Sequence, residues 1–367
     1  MPSTFTTRLG LALPIVQGPM TGSDTPALAA AVSEAGGLGM LGCGMRSPTA
    51  MREAAAEVRR RTDRPFGMNL FVQATPTPDE ATVQAAMQRL APLYATFGLV
   101  PQRPAQWCED FAAQFEALVA ARPAVASFTF GILSAAQVAR LQAAGSVVIG
   151  TATTVAEARA WAAVGADAVC ASGMEAGGHR GTFLSPGHDT PLPGGPSLGD
   201  FEASMVGTLT LVRQCVDALS IPVIAAGGIM DGRGIAGALA LGAQAVQMGT
   251  AFLACPESGI GPAYRAALNK AQATDTRTTR IFSGRPARGI VNTLMQRLQA
   301  DEASVPAYPV QNALTGALRR AAAEAGDGDY LSLWAGQGVG AVRPLPVAAL
   351  MALLEQEWRA ARAALSA

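Results

Sequence analysis

Residues 167–181 read DAVCASGMEAGGHRG, and the rest of the chain is arranged around them. The short apolar run 168–171 reads as a buried strand. The chain then breaks into small residues and delivers one imidazole, His179, between Gly177-Gly178 and Gly181. Glycines beside a histidine let backbone approach a ligand closely, because no Cβ stands in the way. A histidine in that setting can trade a proton near neutral pH. The same pattern also suits a plain glycine-rich turn. The other histidine of the chain is His188.

Outward from this stretch, residues 14–250 alternate short apolar runs with amphipathic ones. That alternation predicts parallel strands joined by helical crossovers. Strands are expected at 14–19, 38–43, 66–71, 126–131, 146–151, 167–172, 222–226 and 245–249. Asp24 and Pro26 open a first helix that Gly36-Gly37 ends. Further helices are expected over 49–61, 134–144, 201–219 and 232–241, the last capped by Asp231, and Thr154-x-x-Glu157 reads as a capping box. Eight such units make an α/β chain of the (β/α)8 kind, a TIM barrel with an added helical domain. The barrel takes residues 1–73 and 124–260. Residues 74–123, with helical segments at 81–90 and 105–120, read as a helical insertion. Residues 261–367 read as a C-terminal helical region covering the barrel top. The Gly/Pro loop 173–199 is too long for an ordinary connection, which points to function.

Half of the 367 residues are apolar, and 27 basic residues balance 27 acidic ones. A chain without a basic surface is a poor partner for nucleic acid. Its five cysteines are scattered with no C-x-x-C, and Cys43, Cys170 and Cys255 read as buried thiols of a reducing compartment. The opening MPSTFTTRLG lacks an apolar signal core, and no apolar run is long enough to span a bilayer. A cytoplasmic protein with no membrane partner is expected. No metal is expected, since two histidines nine residues apart match no usual ligand spacing. Lys270 is the only lysine, so Schiff-base chemistry would have to use it.

Gly37-Leu38-Gly39-Met40-Leu41-Gly42 matches G-x-G-x-x-G but runs from a helix into a strand, the wrong context for a dinucleotide. A better phosphate signal closes the seventh and eighth strands: Ala226-Gly227-Gly228 and Gln247-Met248-Gly249-Thr250. Glycines needed only for tight turns would look the same. Asn69 is polar inside an apolar third strand and must find partners, in a ligand or in the core. The run 283–289 offers Ser283, Arg285 and Arg288 to an anion or a helix end. No Gly-x-Ser-x-Gly elbow appears.

Taken in order, PIVQGPM (14–20), FGMNL (66–70), ASGMEAGGHRG (171–181), IPVIAAGGIMDGRG (221–234), AVQMGTAFLACPES (245–258), FSGRPARGIVN (282–292) and YLSLWAGQG (330–338) resemble the nitronate monooxygenases, formerly 2-nitropropane dioxygenases. EAGGHRG and WAGQ resemble the class I branch. The resemblance implies an FMN-dependent enzyme on a barrel with a helical domain. It implies FMN contacts from Asn69, Gly177, Gly228, Gln247, Met248, Gly249 and Thr250, with His179 as catalytic base and Ser283 near the substrate. Ser172 stands where the family usually has glutamine, and its shorter side chain reaches less far toward a flavin. Some relatives carry a histidine at the end of the fifth strand, where Gly150 and Thr151 stand here. The implied reaction is oxidation of alkyl nitronates, of the propionate 3-nitronate type, by O₂ to a carbonyl compound and nitrite. FMN-dependent NAD(P)H reductases acting on enoyl-acyl-carrier-protein or quinones share the barrel and a similar glycine–histidine loop, and are the alternative. A non-catalytic FMN-binding protein is a third reading. The partners implied are a small-molecule substrate and O₂, with monomer and dimer both open.

Overall fold

The parallel strands of this chain are apolar on both faces, so neither face can be left to water. The computed structural model, which describes residues 5–192 and 195–365, shows how they are covered. In chain order the strands are β1 (Ile15–Gln17), β2 (Gly39–Gly42), β3 (Phe66–Phe71), β4 (Val125–Thr129), β5 (Val147–Ala152), β6 (Ala168–Ser172), the two-residue β7 (Gly178–His179), β8 (Val223–Ala226) and β9 (Ala245–Met248). All except β7 form one eight-stranded parallel sheet in the order β1-β9-β8-β6-β5-β4-β3-β2. The two ends of that order meet: Val16 bridges Leu38, with the Leu38 and Gln17 N–H groups donating to Ile15 and Leu38 carbonyls at 2.9 Å each. The sheet is a nearly closed TIM barrel with flanking helices.

Alternate residues of each strand go to opposite sides. Met40, Val125, Ile149, Cys170 and Ile224 gather with Phe5, from the helix Phe5–Leu9, as one cluster. Leu41, Met68, Phe128, Val148, Val169 and Val246 meet the helices in the large outer cluster. The helices start where small polar residues can accept their free N–H groups. Thr25, Ser47, Thr154 and Asp231 cap Pro26–Glu34, Pro48–Arg61, Val155–Ala163 and Gly232–Ala240. Asp24 is not the first cap; its buried carboxylate accepts from the N–H groups of Met20 and Gly42, at 2.7 Å each.

Several expectations need adjustment. The stretch 201–219 is two helices, Leu198–Ala203 and Thr208–Ala218, because the carboxylate of Glu175 takes the N–H of Thr208 and starts the second afresh. Residues 74–123 are of two kinds. Helix Phe111–Ala121 places Phe115 and Leu118 in the barrel's outer cluster, whereas Glu80–Ala95 places Val83, Leu90 and Leu93 in a second core with Phe282, Leu294 and Leu318. Residues 261–367 are not only helical: β10 (Thr276–Thr279) and β11 (Ala287–Ile290) form a three-stranded antiparallel sheet with β7. The last helix, Val347–Leu365, packs on the outer wall against Gly232–Ala240 and Pro26–Glu34, in the place an eighth barrel helix would take. The expected loop 173–199 includes 193 and 194, which lie outside the described residues, as do the first four and last two positions of the expected domain ranges.

Close packing of helix on strand shows at Gly39. A Cβ there would lie 1.9 Å from the carbonyl oxygen of Ala29. Gly39→Ala should therefore push helix Pro26–Glu34 off β2 and cost about 1–3 kcal/mol, the usual range for overpacking. Urea titration of the two proteins measures it; an unchanged midpoint would show that this contact yields freely.

Candidate active site

The C-terminal ends of the barrel strands open into one cavity of about 1030 Å³. Asn69, Ser172, Gly177, His179 and Gly228 line it, as does the run Gln247–Thr250. The residues expected to contact a cofactor, together with His179, are thus brought to one rim, whereas Ser283 lies behind it. Ser283 is buried, and its Oγ sits 2.8 Å from Nε2 of His179. The amide nitrogen of Asn69 donates to Ser127 Oγ at 2.9 Å, leaving Oδ1 with no hydrogen-bond partner among the described residues. Asn69 therefore serves the core and the cavity together.

His179 is held by backbone on one side and by carboxylates at each end of its loop. Gly178 adopts φ +73°, a left-handed conformation suited to glycine, and turns the chain back over the barrel. His179 and Gly178 then pair with Ala287 and Arg288 of β11. Upstream, Glu175 accepts from Thr208 N–H at 2.9 Å and Thr208 Oγ1 at 2.7 Å. Downstream, the fully buried Glu157 accepts from the N–H groups of Phe183 and Leu184, at 2.5 and 3.1 Å. Its other oxygen accepts from Thr153 N–H at 2.6 Å and Thr153 Oγ1 at 2.8 Å. The Thr154-x-x-Glu157 pattern is thus a simple Thr154 cap; its glutamate leaves the helix end to tether the histidine loop.

Three rings surround the imidazole: Trp334, Phe130 and Tyr308, with centroids 5.3, 5.4 and 5.6 Å away. Burial pushes the pKa of His179 down from 6.5 to about 3, with the nearby charges of Arg285 and Arg319 acting in the same direction. The imidazole is accordingly neutral across the physiological range.

Arg285 and Arg288, which the sequence offers to an anion or a helix end, are committed to neither. Arg285 donates to the carbonyls of Arg180 and Thr182 and lies over the rings of Phe130 and Phe201. Arg288 donates to the carbonyl of Met174 at 3.0 Å and to Thr276. The cavity's own cations are Arg46 and Arg319. Sequence reasoning missed Arg319, Tyr308, Trp334 and Phe130, although WAGQ pointed at the neighbourhood of Trp334. Among the described residues no cluster of three or more His, Cys, Asp or Glu could hold a metal ion. No helix among them is long and apolar enough to cross a membrane.

A parallel barrel with an imidazole and bare backbone converging on its C-terminal rim defines a barrel enzyme. Comparison with known proteins narrows the class. Residues 3–357 match the family model described as nitronate monooxygenase. A nitronate monooxygenase of Pseudomonas aeruginosa is 44% identical over 98% of this chain and 100% of its own length. A probable nitronate monooxygenase of Staphylococcus aureus is 41% identical over 91% of this chain and 90% of its own. Among solved structures, nitroalkane oxidase from Streptomyces ansochromogenes superposes with a TM-score of 0.88 at 42% identity, covering 97% of this chain and 98% of that one. FabK from Thermotoga maritima superposes with a TM-score of 0.75 at 32% identity, covering 98% and 97%. The chain belongs to the nitronate monooxygenase family and is an oxidoreductase of it. That family is generally flavin-dependent.

The depressed pKa of His179 has a consequence for stability. Between pH 6.5 and about 3 the unfolded chain binds a proton at this residue that the fold does not, so stability falls as pH falls through that window. Relative to His179→Asn, the flavin-free wild type should lose at most about 2 kcal/mol between pH 7 and pH 5, less where cavity water screens the charge. Urea midpoints at both pH values measure it. Parallel losses in the two proteins would mean that the imidazole is hydrated.

Proposed function

We propose that the cavity binds FMN and that the protein oxidises alkyl nitronates, of the propionate 3-nitronate type, with O₂ to a carbonyl compound and nitrite. The observation that carries this reading is one rim holding both unclaimed backbone donors and a neutral imidazole. The N–H groups of Gly228, Gly249 and Thr250 have no acceptor among the described residues. Backbone donors of that kind suit a phosphate. The space beside Gly249 is open, since a Cβ there would meet nothing nearer than Met20 Sδ at 3.7 Å. Gly177 differs: its Cβ would collide with Gly336 N at 2.4 Å, so glycine serves packing there. One cradle and no correctly placed dinucleotide fingerprint favour the mononucleotide. All five cysteines are unpaired thiols, which suits the cytoplasm.

The bound flavin would supply the exchange of electrons between nitronate and O₂. Gly228, Gly249 and Thr250 would hold its phosphate, and Asn69 its ring. The chain's own chemistry centres on His179. Ser283 Oγ lies 3.1 Å from the carbonyl of Arg285, and with its proton given there it accepts the Nε2–H of the imidazole. Nδ1 then keeps its lone pair and can take a proton. A neutral nitroalkane must lose its α-proton before oxidation, whereas a nitronate is already an anion and need not. Phe130, Tyr308 and Trp334 shield that transfer from bulk water.

Three outcomes test the reading. The purified protein should release FMN, not FAD, on denaturation, as chromatography of the freed flavin shows; FAD would sink it. Gly249→Val should lower FMN affinity by about tenfold or more with an unchanged circular dichroism spectrum, on the scale of lost charge-assisted hydrogen bonds. Gly249 is the cleaner site, because Gly228 has φ +72° and any side chain there strains the backbone. His179→Asn should keep FMN and lose about 10²–10⁴-fold on a neutral nitroalkane while retaining a measurable rate on the nitronate. Oxygen uptake with both substrate forms decides this, and equal losses on both would make His179 a binding group. NADH that reduces the flavin, with no oxygen uptake on propionate 3-nitronate, would instead establish the reductase reading.

A further inference from the structure

We propose that Arg319 reads a second negative charge on the substrate, selecting nitronates whose tail carries a carboxylate; this rests on the reading of the cavity as a nitronate site. Arg319 lies on the helix Gly316–Glu324 and lines the cavity. Its Nη2 donates to the carbonyl oxygen and to Oδ1 of Asn312, both at 2.9 Å. Its Nε is sealed from water without a partner, and its Nη1 makes no hydrogen bond among the described residues. No carboxylate among the described residues pairs with it. Glu324, which also lines the cavity, is exposed and forms no ion pair with it. The charged or ionisable groups that bear on Arg319 are Tyr308, Tyr94 and Arg320, none of them an anion near neutral pH. Burial lowers its pKa only to about 10, so it remains a cation.

A half-buried guanidinium without a counter-ion, with Nε sealed from water and unpartnered, is costly to keep, and an anion would complete it. The other cavity arginine, Arg46, already reaches Asp24 at 3.4 Å and the carbonyl of Gly42 at 3.3 Å. The cofactor's phosphate has its own donors at Gly228, Gly249 and Thr250. The nitronate group belongs beside His179, whose pKa the charge of Arg319 also lowers. A charge left over for Arg319 is therefore one at the substrate's far end. Guanidinium and carboxylate match as fork to fork.

The test compares wild type with Arg319→Met and Arg319→Lys, all loaded with FMN. Oxygen uptake is measured with propionate 3-nitronate and with ethyl nitronate. The ratio of kcat/KM for the first over the second should fall about 10- to 100-fold in Arg319→Met, mainly through KM, as expected for a lost hydrogen-bonded charge. Arg319→Lys should lie between, and reports the same direction if the methionine variant does not fold. In parallel, calorimetry should show succinate binding to wild type and not to Arg319→Met. Equal losses on both nitronates overturn the proposal, as does unchanged succinate binding. Weakened FMN affinity in Arg319→Met also overturns it, by assigning the arginine to the cofactor. A wild type that oxidises neither nitronate sinks the reading of the activity, and the succinate titration then decides the arginine alone.

Discussion

Two residues of backbone pairing join the two halves of this protein where its chemistry sits. Gly178 and His179 leave the rim of the barrel and add themselves as a third strand to β10 and β11. The barrel alone would leave the histidine on a free loop of glycines. The small sheet alone would have no cavity to face. Joined, they fix the imidazole over the strand ends, and Ser283, four residues before Ala287, the partner of His179, comes within 2.8 Å of it. Preorganisation here comes from ladder hydrogen bonds, which hold backbone more firmly than side-chain contacts do.

The electrostatics of the loop follow from that geometry. Crossing from one core to another buries backbone carbonyls that no regular element satisfies. Arg180 donates to Gly173 and Ser204 carbonyls, Arg285 to those of Arg180 and Thr182, and Arg288 to that of Met174. Glu157 and Glu175 take the matching N–H groups. These arginines and glutamates are therefore structural, although their density in the sequence resembles a binding site. Of the two cations that line the cavity, Arg319 comes from an ordinary-looking helix.

This explains what could be read beforehand. The barrel was legible because buried parallel strands leave apolar runs at regular spacing, and glycines close β8 and β9 at the cavity rim. The rim residues were legible for the same reason. β10 and β11 were not: TRTT and ARGI carry no alternating pattern, since their order comes from pairing with each other and with β7. Glu157 looked like a helix cap because its other partners, Phe183 and Leu184, are remote in sequence. Arg319 sits in GALRRAAAE, which reads as an amphipathic surface helix; only the fold shows that one of its two arginines faces inward.

The absence of a fifth-strand histidine follows from the same packing. Gly150 faces the helix layer, and a Cβ there would stand 2.0 Å from the ring of Trp161. Trp161 in turn donates its indole N–H to the carbonyl of Thr151 at 3.2 Å, holding the end of β5 in place. Thr151 does reach the cavity, but the histidine loop passes directly over it. A Cβ on Gly181 would lie 3.0 Å from Thr151 Cγ2 and 3.0 Å from Thr129 Oγ1. The loop at Gly181 and the end of β5 thus lie close together, with Thr151 facing the cavity between them.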